Sequence, residues 1–140
     1  MASRRRSRRI AVQALYSWDV GGIDEERILA FDWVDDRDAL DTTFTRLLVH
    51  GTLSHVEEID AMIEAQLEHW DLSRLHRVDF AILRVAAFSL IYQREISAHV
   101  TIDEAVELAK ELSTDDAYRF INGVLDGIRK RLETDGNRVE

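Results

Sequence analysis

The sequence predicts an all-α protein, a compact bundle of about seven helices. The chain has 140 residues, no proline and only six glycines, so few residues interrupt helices. Apolar residues recur every three or four positions, whereas the strict alternation that is typical of strands is hard to find. A hydrophobic content of 46% is normal for a globular protein. A chain of this length forms one domain that buries about two thirds of its unfolded surface.

Four helices are predicted in the first half of the chain by apolar spacing and by the residues at their ends. Their approximate ranges are 7–20, 24–33, 37–50 and 54–67. Gly21-Gly22 and Gly51 are expected to end the first and third helices. Ser54 and Glu57 have the spacing of a capping box, in which both side chains bind free backbone amides, and are expected to open the fourth.

Three more helices are predicted in the second half of the chain. They cover about 74–95, about 102–112, and a stretch that begins at Thr114 or Asp115 and ends near 133. The fifth helix is apolar on nearly all sides between Phe80 and Tyr92, which indicates a central helix packed on several sides. Thr101 and Glu104 have the capping-box spacing again and are expected to open the sixth.

One domain is predicted over residues 1–133, with an arginine-rich segment at 1–9 and a frayed tail at 134–140. Cysteine is absent, which excludes disulfides and thiolate chemistry. The longest apolar stretch contains Arg84 and is shorter than the ~20 residues that cross a bilayer. The basic start lacks the uninterrupted apolar core of an export signal. We therefore expect a cytoplasmic protein that does not bind membranes.

No catalytic or metal-binding pattern is found in the sequence. His50 and His55 diverge around a helix, the adjacent carboxylates also diverge, and no glycine-rich phosphate loop is present. The sequence therefore predicts a protein that is not an enzyme and that holds no cofactor and no metal.

Charge is distributed unevenly along the chain. The formal net charge is −9, yet five arginines lie among the first nine residues, and the remainder carries about −14. The positive end of a helix dipole repels cations by ~0.3–1 kcal/mol each at low salt, so these arginines do not stabilise the first helix. A polyanion partner is predicted, and a solvated basic tail is the alternative. The five are Arg4, Arg5, Arg6, Arg8 and Arg9.

Helical projections place cations beside aromatic rings on two faces that the core does not need. On the first helix these residues are Arg5, Arg9, Val12 and Tyr16, and on the last helix they are Arg119 and Phe120. Cations bind phosphates and flat rings stack on unstacked bases, so both faces are candidate RNA-binding surfaces. Packing of Tyr16 at the rim of the core and of Phe120 under a loop are the alternatives.

Three stretches carry the most specific patterns: RRRSRRIAVQALYSW, DFAILRVAAFSLIY and VTIDEAVELAKELSTDDAYRFINGVLDGI. Together they resemble the bacterial NusB family of transcription antitermination factors, from Arg4 to about Arg131. The resemblance implies the all-helical NusB fold and a non-catalytic role. That role is to bind single-stranded boxA RNA with the ribosomal protein NusE, so that elongating RNA polymerase resists termination, notably on ribosomal RNA operons.

The resemblance also implies roles for individual residues. The arginine segment matches the RNA-binding segment of the family, and Tyr16 and Phe120 match aromatic positions near RNA. The candidates for NusE contact are Asp79, Arg84, Leu112 and Asp116. The chain departs from the usual family pattern at Ser89, Asp103 and Leu112-Ser113. A protein-only adaptor, a NusB-like domain of an RNA-modifying system and a homodimer that covers its own partner surface stay open as alternatives.

Overall fold

The computed structural model describes residues 3–68 and 71–135, and it folds them into helices and turns without a strand. The α-helices of these ranges are α1 (Arg4–Gly21), α2 (Glu25–Leu29), α3 (Thr42–Ser54), α4 (Val56–Glu64), α5 (Arg77–Tyr92), α6 (Ala98–Leu112) and α7 (Ala117–Thr134). The prediction of an all-α bundle of about seven helices is confirmed. Most of the predicted tail, residues 136–140, lies outside the described residues.

Helix α5 forms the centre of the bundle, as its apolar sequence predicts. It packs against α1, α3, α4, α6 and α7, so hardly any side is left for solvent. Every residue from Asp79 to Leu90 is buried. The main hydrophobic core is therefore arranged around this helix, and α1 and α6 lie against it as neighbours.

Both predicted capping boxes are wrong. Ser54 is the last residue of α3, and its hydroxyl lies 3.3 Å from Nε2 of His50 instead of capping α4. Thr101 lies inside α6 and is buried. Ser97 caps that helix, because its hydroxyl accepts a hydrogen bond of 3.2 Å from the backbone N–H of Val100. The Ser/Thr-x-x-Glu spacing also occurs within helices, so the spacing alone does not locate a helix start.

Other helix ends also differ from the prediction. α3 begins after Asp41 and continues through Gly51. Glycine is needed there because a Cβ atom would overlap the ring of Phe88 in α5. α2 ends at Leu29, which leaves Trp33 in the connection to α3. Of the predicted glycine stops, Gly22 is correct, since it follows α1 with a left-handed φ of 65°.

The buried side of α1 is wider than its projection predicts. The helix lies between α3 and α5 and also contacts α2, so residues on more than one stripe are covered. Val12, which we expected on the functional face with Tyr16, is buried in the main core. The prediction that Val12 belongs to the functional face is therefore wrong, whereas Tyr16 is 40% exposed. In the part of the chain that the structure describes, we find no helix with the length and apolarity needed to span a membrane.

Candidate nucleic-acid interface

A groove with a volume of 640 Å³ lies along the exposed side of α1. Its walls come from α1, from residues 33–35, from the start of α5 and from the end of α6. Four of the predicted site residues line it: Arg6, Arg9, Tyr16 and Leu112. The groove therefore combines guanidinium groups with an exposed aromatic ring, as the sequence predicts for an RNA-binding face.

The wall opposite α1 contains Trp33, a residue that sequence reasoning missed because it was assigned to the second helix. Its ring is 40% exposed and lines the groove. The segment that carries it is held by a small second core made of Ile10, Phe31, Val34 and Leu40. A bulky apolar residue among carboxylates, in a stretch of weak helical pattern, is the signal that could have identified it.

Arg6 holds the segment of residues 33–36 against α1 through hydrogen bonds. Its guanidinium donates hydrogen bonds to the backbone carbonyls of Asp35 and Asp36, the second at 3.3 Å. Arg6 is half-buried and lines the groove, so it supports the wall that carries Trp33, and its contact with RNA stays a prediction.

Arg5 and Arg9 are each held by two hydrogen bonds to a carboxylate of α6. Nε and Nη2 of Arg5 lie 3.3 Å from the carboxylate oxygens of Glu104. Nε of Arg9 lies 3.2 Å from Oε2 of Glu111, and its Nη2 also donates to that carboxylate. The hydrogen bond to Glu104 raises the pKa of Arg5 above its ordinary value. Both guanidinium groups are thus at least partly exposed, orientated and matched to a planar anion, the geometry in which arginine also binds phosphate.

The remaining two arginines of the segment differ sharply in exposure. Arg4 is exposed, and its guanidinium carbon lies 3.9 Å from the ring centre of Phe44. Arg8 is buried and lies 3.9 Å from Glu104, and burial lowers its pKa from the ordinary value. The RNA-binding assignment of Arg8 is therefore corrected, because its head group has almost no surface to offer.

The second predicted face, on α7, lies in a separate groove of 330 Å³ beside the end of α4. Arg119 and Phe120 both line it, together with Gln66 and Gly123. Nε of Arg119 donates a hydrogen bond of 3.1 Å to the hydroxyl of Tyr118, which raises the pKa of Arg119. Phe120 is half-buried, so a large part of its ring packs against the core.

Two of the four residues predicted to contact a protein partner are inside the molecule. Arg84 is 6% exposed and donates two hydrogen bonds to Asp60, at 2.9 and 2.8 Å. Asp79 is also buried and accepts a hydrogen bond from the hydroxyl of Ser113. These two assignments are corrected, because neither side chain presents a surface to a partner. Leu112 is half-buried at the rim of the α1 groove, and Asp116 is exposed just before α7.

Both grooves are lined by cationic and aromatic side chains, which are suited to binding a ligand. Within residues 3–68 and 71–135, no group of three or more His, Cys, Asp or Glu side chains is placed to hold a metal ion. Guanidinium groups of the α1 face can neutralise phosphates, and the exposed rings can stack on bases.

Comparison with known proteins places the chain in a family. The model of the NusB family matches residues 5–130. Transcription antitermination protein NusB of Treponema pallidum is 48% identical over 91% of this chain and 92% of that protein. The protein of the same name from Bacillus subtilis is 41% identical, over 93% of this chain and 97% of its own length.

Solved structures agree with the sequence comparison. NusB of T. maritima superposes with a TM-score of 0.82 and 36% identity, over 93% of both chains. A crystal structure of antitermination factors NusB and NusE in complex with double-stranded RNA gives a TM-score of 0.78 and 29% identity, over 91% of this chain and 96% of that chain. The resemblance seen in the sequence is therefore confirmed: this chain belongs to the NusB family, whose members are transcription antitermination factors and not enzymes.

Proposed function

We propose that this protein binds boxA-type single-stranded RNA together with NusE. In that complex it helps elongating RNA polymerase resist termination, notably on ribosomal RNA operons. The protein acts as a binding factor in the cytoplasm, where bacterial transcription takes place, and it needs no cofactor.

The observation that carries this proposal is the α1 face. It presents the exposed Arg5 and the half-buried Arg9 beside α6, with the exposed Arg4 next to them over Phe44, and continues into a groove that contains Tyr16. Arginines supply the attraction to phosphates, which does not depend on sequence, and exposed rings supply contacts to unstacked bases. A paired helix would hide its base faces, so the aromatic part of the groove favours a single strand.

A protein partner is supported by the position of Leu112 and by the charge of the chain. Leu112 lines the same groove, so RNA bound along α1 and a partner at the end of α6 would be neighbours. Outside the arginine segment the chain carries about −14. Ribosomal proteins are typically basic, and such a charge would attract one while it repels RNA from other surfaces.

The test is a filter-binding measurement with a boxA single strand, a scrambled strand and a duplex of the same sequence, with and without NusE. The variant R4A/R5A/R9A should bind boxA at least about tenfold more weakly, since each arginine neutralises phosphate charge, and its affinity should fall less steeply with salt. Thermal stability should stay level, because exposed ion pairs contribute little. Light scattering beforehand shows whether the protein is a homodimer.

The matched control is R27A/R94A/R131A, which removes three exposed arginines from other parts of the molecule. It makes the same change in net charge but should keep most of the affinity. Equal weakening by both variants would mean that net charge alone attracts RNA. Unchanged affinity of R4A/R5A/R9A would contradict the α1 face as the RNA-binding surface and favour the protein-only adaptor.

A further inference from the structure

We propose that the groove between Tyr16 and Trp33 holds one unstacked nucleobase of the bound strand, with the indole of Trp33 as its stacking platform. This inference rests on the proposed function, since it names the part of the RNA that enters the α1 groove and the residue that receives it.

The indole is fixed in position before any ligand arrives. Nε1 of Trp33 donates a hydrogen bond of 3.0 Å to the backbone carbonyl of Ile28, which satisfies the one polar atom of the ring. Trp33 nevertheless stays 40% exposed, as does Tyr16, which lines the same groove. A fixed aromatic face without a free donor favours stacking over hydrogen bonding, and its rigidity reduces the entropy lost on binding.

The segment around Trp33 adopts an unfavourable backbone that the fold enforces. Phe31 and Asp36 both have left-handed backbones, with φ of 54° and 53°, although neither is glycine. Such residues persist only where surrounding contacts hold them, and they are found preferentially at binding sites. Here the contacts are the buried side chains of Phe31 and Val34 and the hydrogen bonds of Arg6 to the carbonyls of Asp35 and Asp36.

The chemistry of the neighbours identifies the occupant as RNA. Arg5, Arg9 and Tyr16 are spaced by four and seven residues, so they follow one side of α1 over about 16 Å at 1.5 Å per residue. The guanidinium groups of Arg5 and Arg9 therefore form a row along α1 that ends near the rings of Tyr16 and Trp33. A strand whose phosphates follow the arginines would reach the groove with a base. An apolar segment of a protein would gain from the rings but not from the cations, so RNA is the better match.

The experiment compares W33A and W33F with the native protein in boxA binding. Loss of a stacked base should weaken binding about five- to a hundredfold in W33A, whereas W33F should stay within about threefold because a phenyl ring also stacks. The dependence of affinity on salt should be unchanged in both, since no phosphate contact is lost. L47A is the matched control, because Leu47 is an exposed apolar residue on α3 that lies outside the groove.

A second measurement does not depend on how well W33A folds. Stacking of a base on an indole quenches its fluorescence, so boxA RNA should quench the native protein and lose most of that effect on W33F. Equal quenching in the native protein and W33F would overturn the proposal.

Failure of this inference can be told apart from failure of the proposed function. If W33A, folded as judged by circular dichroism, binds RNA like the native protein while R4A/R5A/R9A does not, the base site is wrong and the RNA-binding face stands. If W33A loses NusE binding but keeps RNA binding, the groove is a protein-docking site and the inference is overturned. If the native protein binds no RNA, the proposed function itself fails.

Discussion

Two arginine–carboxylate pairs in this protein have nearly the same geometry and opposite surroundings. Arg84 binds Asp60 through Nε and Nη2, and Arg9 binds Glu111 through the same two nitrogens. The side chain of Arg84 is 7% exposed, whereas that of Arg9 is 37% exposed. The guanidinium of Arg84 also lies 3.6 Å from the ring centre of Phe80 and 3.9 Å from the carboxylate of Asp19, so it is enclosed by an aromatic ring and two carboxylates.

The difference shows that burial decides what such a pair does. A buried pair cannot exchange its partner for water or a ligand, and the loss of one member leaves an unpaired charge in the core. An exposed pair contributes little to stability, and its cation can be transferred to another anion of similar shape. Arg84 is therefore a structural residue that joins α5 to α4, whereas Arg9 and Arg5 remain available to a phosphate.

The largest effect is expected from R84A. The substitution leaves the half-buried carboxylate of Asp60 without its partner and removes the guanidinium from Phe80, so the free energy of unfolding should fall by about 3 kcal/mol, the lower end of the range for a buried pair. Urea denaturation followed by circular dichroism measures it. RNA affinity of the remaining folded protein should be native, since Arg84 offers no surface to RNA.

R94A is the matched control for R84A. Arg94 is an exposed arginine just beyond the end of α5, and its removal should change stability by less than about 0.5 kcal/mol. A similarly small loss in R84A would contradict the view that burial, and not the pairing itself, makes Arg84 essential to the fold.

An intermediate effect is expected from E104Q/E111Q. Glu104 and Glu111 occupy the two guanidinium groups that we propose for phosphate, so they compete with RNA for Arg5 and Arg9. Removal of both charges should strengthen boxA binding about two- to tenfold, because the exposed pair of Arg9 and Glu111 is weak. Glu104 is only 19% exposed and also lies 3.9 Å from the buried Arg8, so E104Q should in addition lower the free energy of unfolding. The affinity should rise for the scrambled strand as well, since phosphate contacts carry no sequence information.

A control for E104Q/E111Q is E57Q/E58Q, which removes two exposed carboxylates from the start of α4. It should have a smaller effect on RNA binding, so the comparison separates local competition from net charge. If E104Q/E111Q instead weakens binding, the two glutamates orientate the arginines for RNA and do not compete with it.

These pairs also show why the sequence predicts the fold better than the site. Helices α5 and α1 are predicted from their apolar residues, because that pattern involves only neighbouring positions in the sequence. Arg84 stands inside an apolar run, but its partner Asp60 lies on another helix, so the spacing within α5 does not reveal that it is paired. Glu111 lies 102 positions from Arg9, and only the packing of α6 brings them together.

Trp33 is a harder case for prediction from sequence. Its position depends on left-handed backbones at Phe31 and Asp36. Aspartate adopts this conformation more often than most residues, but phenylalanine does not, so the sequence does not predict the path of this segment. The face shared by Arg5, Arg9 and Tyr16 was predicted, because a helical projection needs only the residues of α1. Arg8 was assigned wrongly because the projection does not show how far α3 and α6 extend over the helix.

The smallest effect is expected from D126N, which removes a half-buried acceptor from α7. Arg129 donates to Asp126 at 2.9 Å and Lys130 lies 3.2 Å away, and these contacts, chiefly the hydrogen bond from Arg129, hold the pKa of Asp126 below its ordinary value of 3.8. Because the pKa is lower in the folded state, the carboxylate stabilises the fold above its unfolded pKa. That contribution disappears as the pH falls through the folded pKa.

D126N should therefore be less stable than the native protein by at most about 1 kcal/mol at neutral pH, and the difference should vanish in acid. Urea denaturation at a series of pH values measures it. Asp126 resembles Glu111 in exposure, at 37% and 42%, and differs from Asp60, at 21%. A loss in D126N as large as that in R84A would mean that the number of hydrogen bonds sets the strength of these pairs. A small loss would leave burial as the property that separates the structural arginine of α5 from the exchangeable arginines of α1.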